Sequence, residues 1–245
     1  MGTNEPVVQI RSLHKTFNQV EVLRGIDLCI DKAENLVVLG KSGSGKSTLI
    51  KGMIGLSEPD EGSILLLGRN ISEINYEELN KLRIEVGFLF QSGALYDSMT
   101  VNENLAFPLR RHKKHLGREK IKQLIQEVLE NVGLPDAGDK MPAELSGGMS
   151  KRIGLARTLI LKPSIMLYDE PTTGLDTATA KEISQLILDM QRKYQISSLI
   201  ITHDINCAKM TADRIVMLKE GRIVAEGSYD ELTKNEDDWV KSFFS

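Results

Sequence analysis

Cysteine, net charge and long apolar runs are all scarce in this 245-residue chain, and each scarcity removes a class of answers. The two cysteines, Cys29 and Cys207, are far apart and have no metal-ligand spacing, so neither a disulfide framework nor a zinc site is indicated. They read as reduced, buried thiols of a cytoplasmic protein. A net charge of −3, with acids and bases interspersed, gives no electrostatic surface for nucleic acid. The longest apolar runs, such as Leu36-Val37-Val38-Leu39 and Ile64-Leu65-Leu66-Leu67, are far too short to cross a bilayer. The N-terminus lacks a charged-then-apolar secretion pattern, and Pro6 stands where a myristoylation signal begun by Met1-Gly2 wants Ser or Thr. Repeats and low-complexity linkers are also missing. Any membrane role is expected to come through a partner.

The chain does carry alternating short strands and helical patterns. Residues Val8, Ile10, Leu13, Val20, Val22, Leu28 and Ile30 alternate like half-buried antiparallel strands. Further strands are expected at Leu36–Leu39, Ile64–Leu67, Val86–Phe90, Ile165–Tyr168, Ser198–Thr202 and Ile215–Leu218. Between about 92 and 162 the texture turns helical, with Ile121, Leu124, Ile125, Val128, Leu129 and Val132 at one spacing and Ile153, Leu155, Ala156, Leu159 and Ile160 at another. A further helix carries Ile183, Leu186, Ile187 and Met190. This predicts an α/β domain with a mostly parallel sheet, antiparallel strands at its start and a helical insertion. The core is expected over about 1–91 and 163–245, and the insertion over about 92–162.

Strand Leu36–Leu39 runs into Gly40-Lys41-Ser42-Gly43-Ser44-Gly45-Lys46-Ser47, and Thr48-Leu49-Ile50 opens a helix. Strand, glycine loop and helix together form a phosphate-binding loop. Backbone N–H groups from Ser42 to Ser47 and the positive end of the helix suit a triphosphate. Lys46 can reach the β- and γ-oxygens, and the Ser47 hydroxyl can ligate Mg²⁺. Asp169 and Glu170 end a buried strand at the carboxyl edge of the sheet, where ligands of open α/β folds sit. One acid can hold Mg²⁺ through water and the other, Glu170, can polarise an attacking water. A second anion-binding turn, Leu145-Ser146-Gly147-Gly148-Met149, precedes another helix. The first loop already serves one triphosphate, which leaves the second turn for another anion.

These motifs in this order resemble those of ATP-binding cassette (ABC) proteins, and the resemblance runs from Phe17 to Gly227. It implies a P-loop NTPase core with an inserted α-helical subdomain, ATP and Mg²⁺ as cofactors, and hydrolysis shared by two cassettes. It also implies that His203 contacts the γ-phosphate and the water, and that Gln91 senses the metal. Phe17 would stack on adenine, and Asp176 would sit in the loop crossing the dimer. Thr48 would join the phosphate site. Met149 in place of the usual glutamine, together with the stretch from Val86 to Val101, is similar to the ATPases of Mla-type transporters of outer-membrane lipid asymmetry. That likeness implies phospholipid transport, an integral membrane permease, a lipid-binding protein with a mammalian-cell-entry domain, and a place on the cytoplasmic face of the inner membrane. Leu95, Tyr96, Met99 and Phe107 would then line the groove for a permease helix. Other small cargoes, or a regulatory role like that of cell-division ABC ATPases, are the alternatives. The basic run Arg110–His115 reads as a solvated helix end, and Trp239 and Phe243 are expected to dock on their own domain. A nucleic-acid-associated cassette would want a second cassette or a long coiled coil, and neither is present.

Overall fold

In the computed structural model, residues 6–244 are described; the Met1-Gly2 reading lies outside them. Ten strands and nine α-helices among these residues form two sheets. The six-stranded sheet has the order β10(Arg222–Gly227), β9(Arg214–Lys219), β3(Asn35–Leu39), β8(Ser197–Thr202), β7(Ile165–Asp169), β6(Val86–Leu89). Every neighbouring pair is parallel except β10–β9. The central strands are apolar on both sides because both faces are covered. Val37, Met166, Ile200 and Met217 point into one core, while Val38, Leu167, Leu199 and Val216 point into the other.

The first core is closed by the helical insertion, α3(Val101–His112), α4(Arg118–Asn131) and α5(Gly147–Leu159), and by α6(Thr177–Tyr194) and α7(Ile205–Thr211). The second is closed by α1(Lys46–Met53) and by the antiparallel sheet, whose order is β2(Val20–Ile30), β1(Val8–Phe17), β4(Glu61–Leu66), β5(Arg69–Asn70). All the strands expected from the pattern are found, within a residue or two at their ends except at the start of β4, which lies three residues before Ile64. Phe90 falls outside β6, and Ile64–Leu66 belongs to the antiparallel sheet.

The structure adds elements with weaker patterns: α2(Tyr76–Glu85), α8(Tyr229–Leu232), α9(Asp238–Phe244), α7, β5 and β10. It also corrects one side chain. Cys207 is buried, but Cys29 is exposed, because β2 alternates and Leu28 and Ile30 take the inward positions. Trp239 and Phe243 do pack on the chain's own core, as expected. Arg110–His115 is exposed at the end of α3, also as expected. No helix among the described residues is long and apolar enough to cross a membrane.

Candidate functional site: a cavity at the carboxyl edge of the sheet

Parallel strands β3, β7 and β8 all end at one edge, and the loops that leave them enclose a cavity of about 620 Å³. Gly40, Lys41, Ser42, Gly43, Gly45, Lys46, Ser47 and Thr48 line it from the β3 side. Asp169, Glu170 and Thr173 line it from β7, His203 from β8, Gln91 from β6, and Val22 from β2. Ser44 is buried within the loop instead. The tight turn depends on Gly45, whose φ of 107° is left-handed; a Cβ there would lie 2.9 Å from both Leu23 and the Val22 carbonyl.

Lys46 begins α1 and folds back into the loop. Its ammonium donates to the carbonyls of Gly40 at 2.7 Å and Lys41 at 3.1 Å, and stands 4.0 Å from Glu170 Oε1. Burial pulls the Lys46 pKa down, while Glu170 and Asp169 hold it up. Burial pushes the Asp169 carboxyl above its ordinary range and nearby Glu170 adds to that; Lys51, Lys46 and Lys151 oppose both.

Glu170 is the best-anchored side chain of the site. His203 Nδ1 lies 2.8 Å from its Oε2, and the Thr173 hydroxyl donates to the same oxygen at 3.2 Å. The Glu170 amide donates to the Ile201 carbonyl at 2.9 Å, which ties β7 to β8 just where both strands finish. His203 itself remains largely exposed. A cation, two carboxylates and an imidazole thus face one anion-shaped cradle of backbone N–H groups.

The sequence-predicted residues divide into two sets. Those above share the cavity. Ser146, Gly147, Gly148 and Asp176 do not line it. Ser146 caps α5, its hydroxyl accepting from the Met149 amide at 3.2 Å, and Asp176 caps α6, accepting from Ala178 and Thr179. The helix therefore starts at Gly147, earlier than the Met149 expected from the sequence. Phe17 also falls outside the lining; it is 47% exposed at the end of β1, paired with exposed Val20. Two lining residues carried no signal in the sequence. Val22 reads as an ordinary strand residue, and Phe243 reaches the cavity from α9, some two hundred residues downstream of the glycine loop. The half-buried cluster of Trp239 and Phe243, with ring centroids 4.8 Å apart, holds it there.

Comparison with known proteins bears out the ABC family, while relatives are named for ribonucleotide transport and methionine import rather than for an Mla-type transporter. Residues 23–173 match the ABC transporter family. The probable ribonucleotide transport ATP-binding protein mkl of Mycobacterium leprae is 40% identical over 238 residues, covering 97% of this chain and 68% of that protein. The methionine import ATP-binding protein MetN of Rhizobium johnstonii is 39% identical over 226 residues, covering 92% and 62%. The chain thus spans about two thirds of the length of these relatives. Among solved structures, a dimeric post-hydrolysis ATP-binding cassette bound to ADP and Pi superposes with a TM-score of 0.83, at 31% identity, over 90% of this chain and 98% of that one. The cbiO1 protein of Clostridium perfringens, part of the ABC transporter complex cbiONQ, gives a TM-score of 0.87 at 29% identity, over 94% and 92%. The chain belongs to the ABC transporter family: its fold is the ABC nucleotide-binding domain, and it is an ATPase of that family.

Proposed function

We propose that this chain is the ATP-hydrolysing subunit of a transporter, working as a pair of cassettes on a membrane permease. One observation carries the reading: Lys46, Asp169, Glu170 and His203 converge on a phosphate cradle, while the second anion turn at Ser146–Gly148 stays outside that cavity. An anion turn that does not serve its own chain's cradle is free to close on another chain's nucleotide. The dimeric cassette with ADP and Pi is a relative in which two chains do associate.

Within this reading the backbone N–H groups of the loop from Gly40 to Ser47, with Thr48, hold the phosphates, and Lys46 neutralises the terminal oxygens. Glu170 accepts the proton of the attacking water, and His203, hydrogen-bonded to Glu170, orients both. Exposed Phe17 would stack on the base. Asp176 supports the turn that faces the second chain. The donor set fits Mg²⁺: Ser47, Gln91 and Asp169 share the cavity and supply hard oxygen ligands. Such an ion would neutralise the charge that develops on the phosphates.

For the cargo, transport of a small solute is the reading that the relatives' names support, and one of them names import. Phospholipid transport is the second reading, supported by Met149 and by the segment from Val86 to Val101. Leu95, Tyr96, Met99 and Phe107, each at least partly exposed, are the apolar side chains that either permease would meet. The test is to tag the chain in its native cell, solubilise membranes gently and identify what co-purifies. A polytopic permease with a soluble-ligand receptor would support solute import. A permease with a mammalian-cell-entry-domain protein and bound phospholipid would support the lipid reading instead. No permease at all would sink the transporter assignment.

A further inference from the structure

Helix α5 does more than present the second anion turn. Lys151, Gly154 and Arg157 are three apart, so they share one face of the helix. That face lies against the segment following β6. The Lys151 ammonium donates to the Gln91 carbonyl and, at 3.4 Å, to the Glu170 carbonyl. Gly154 packs directly on Gly93: a Cβ there would stand 2.8 Å from the Gly93 oxygen and 3.0 Å from its Cα. Arg157 Nη1 donates to the Ala94 carbonyl at 2.6 Å, and its guanidinium lies 4.6 Å from the Tyr96 ring centre. About two turns of α5 therefore grip the backbone at Gln91, Gly93 and Ala94 and the ring of Tyr96.

Lys151 is the informative member. It is only 6% exposed, and a buried ammonium is costly unless its donors are satisfied. An apolar side chain of the same length would fill that space at lower cost. The ammonium instead bridges the ends of β6 and β7, the two strands that deliver Gln91 and Glu170 to the cavity.

We propose that Lys151, supported by Gly154 and Arg157, is a positioning residue for hydrolysis, fixing the backbone at Gln91 and Glu170 to the helix that carries the second anion turn. Displacement of α5 is then transmitted to the carboxylate that faces the water, and turnover depends on where α5 sits. The inference rests on the reading of Glu170 given above.

The test compares Lys151→Met, which keeps length and loses the charge, with Lys151→Arg, which keeps a cationic donor. ATP affinity, kcat and melting temperature are measured for each, with Glu170→Gln as a control. Lys151→Met should keep ATP affinity within about twofold and lower kcat about 10- to 100-fold, the scale of a reacting group misplaced by an ångström. Lys151→Arg should recover part of that loss. A residue that merely filled space would show the opposite order, with Met the better replacement. Wild-type kcat in Lys151→Met, or a loss confined to ATP affinity, would overturn the proposal. Should Lys151→Met not fold, Arg157→Met at the half-buried end of the same face must show the same kcat-only loss, and wild-type kcat there would overturn it equally. If Glu170→Gln itself turned over normally, the reading of the cavity would fall; if only Lys151→Met did so, this inference alone would fall.

Discussion

Glu170 adopts a left-handed backbone with φ of 50°, a conformation that costs a non-glycine residue about 1–3 kcal/mol. The strain turns its side chain out of the sheet and into the cavity, where His203 and Thr173 hold one oxygen. Glu170→Gln should therefore leave ATP binding intact and lower turnover by roughly 10²–10⁴, the range of a lost general base. Steady-state ATPase assays beside a binding titration check this. Asp169 behaves differently. Its folded-state pKa is raised, so the carboxylate is less favourable in the fold than in the unfolded chain, and stability declines as pH rises through that pKa. Asp169→Asn removes the charge but keeps the volume, so at neutral pH without nucleotide or cation its melting temperature should exceed that of the wild type. A lower one would mean that Asp169's role as counter-ion to Lys46, Lys51 and Lys151 outweighs its burial. That Lys46, Asp169, Glu170 and His203 share one cavity was legible in the sequence because each sits beside a strand end with a local pattern. Phe243 and Lys151 were not, since their roles depend on contacts between distant segments. Phe243 lines the cavity and touches Trp239, the chain's single tryptophan. Saturating ATP should change Trp239 emission, and a flat titration under conditions where ATP binds would place the nucleotide out of reach of α9.

At the scale of elements, a buried amide adds to the hold of α5 on the segment between β6 and α3. Asn104, fully buried in α3, accepts from the Tyr96 amide at 2.8 Å and donates to the carbonyls of Tyr96, Met99 and Thr100 at 3.0–3.1 Å. A capping box between Thr100 and Glu103 starts the same helix. Asn104→Ala leaves buried backbone groups unpaired and should cost about 1–3 kcal/mol, read from denaturant unfolding. A loss well below that range would mean that water reaches the segment. Long periodic elements such as α4 and α6 were plain in the sequence. Helix α2 was missed because only Leu82 on it is buried, although its capping box, Asn75 with Glu78, was a usable local signal. Short α8 and α9 offered too few turns for periodicity to register.

At the scale of the molecule, the fold keeps the Ser146–Gly148 turn out of the cavity that the glycine loop lines. Two copies related by a two-fold axis would let each chain's Ser146–Gly148 turn meet the other's triphosphate, giving two equivalent sites. ATP would then contribute to association itself, because it binds the paired state and not the separated turn. Hydrolysis would dissolve that contact, so a slow variant is needed to see it. Glu170→Gln with ATP should sediment at twice the 27.3 kDa chain mass and return to one chain mass when ATP is withheld. Adding Ser146→Arg to the same chain removes the α5 cap and fills the turn with a long side chain. It should abolish the ATP-dependent dimer while each chain still binds nucleotide, because Ser146 does not line the chain's own cavity. A double variant that dimerised as well as Glu170→Gln alone would show that the turn does not close the shared site. One that lost ATP binding together with the dimer would show that the turn serves its own chain's loop.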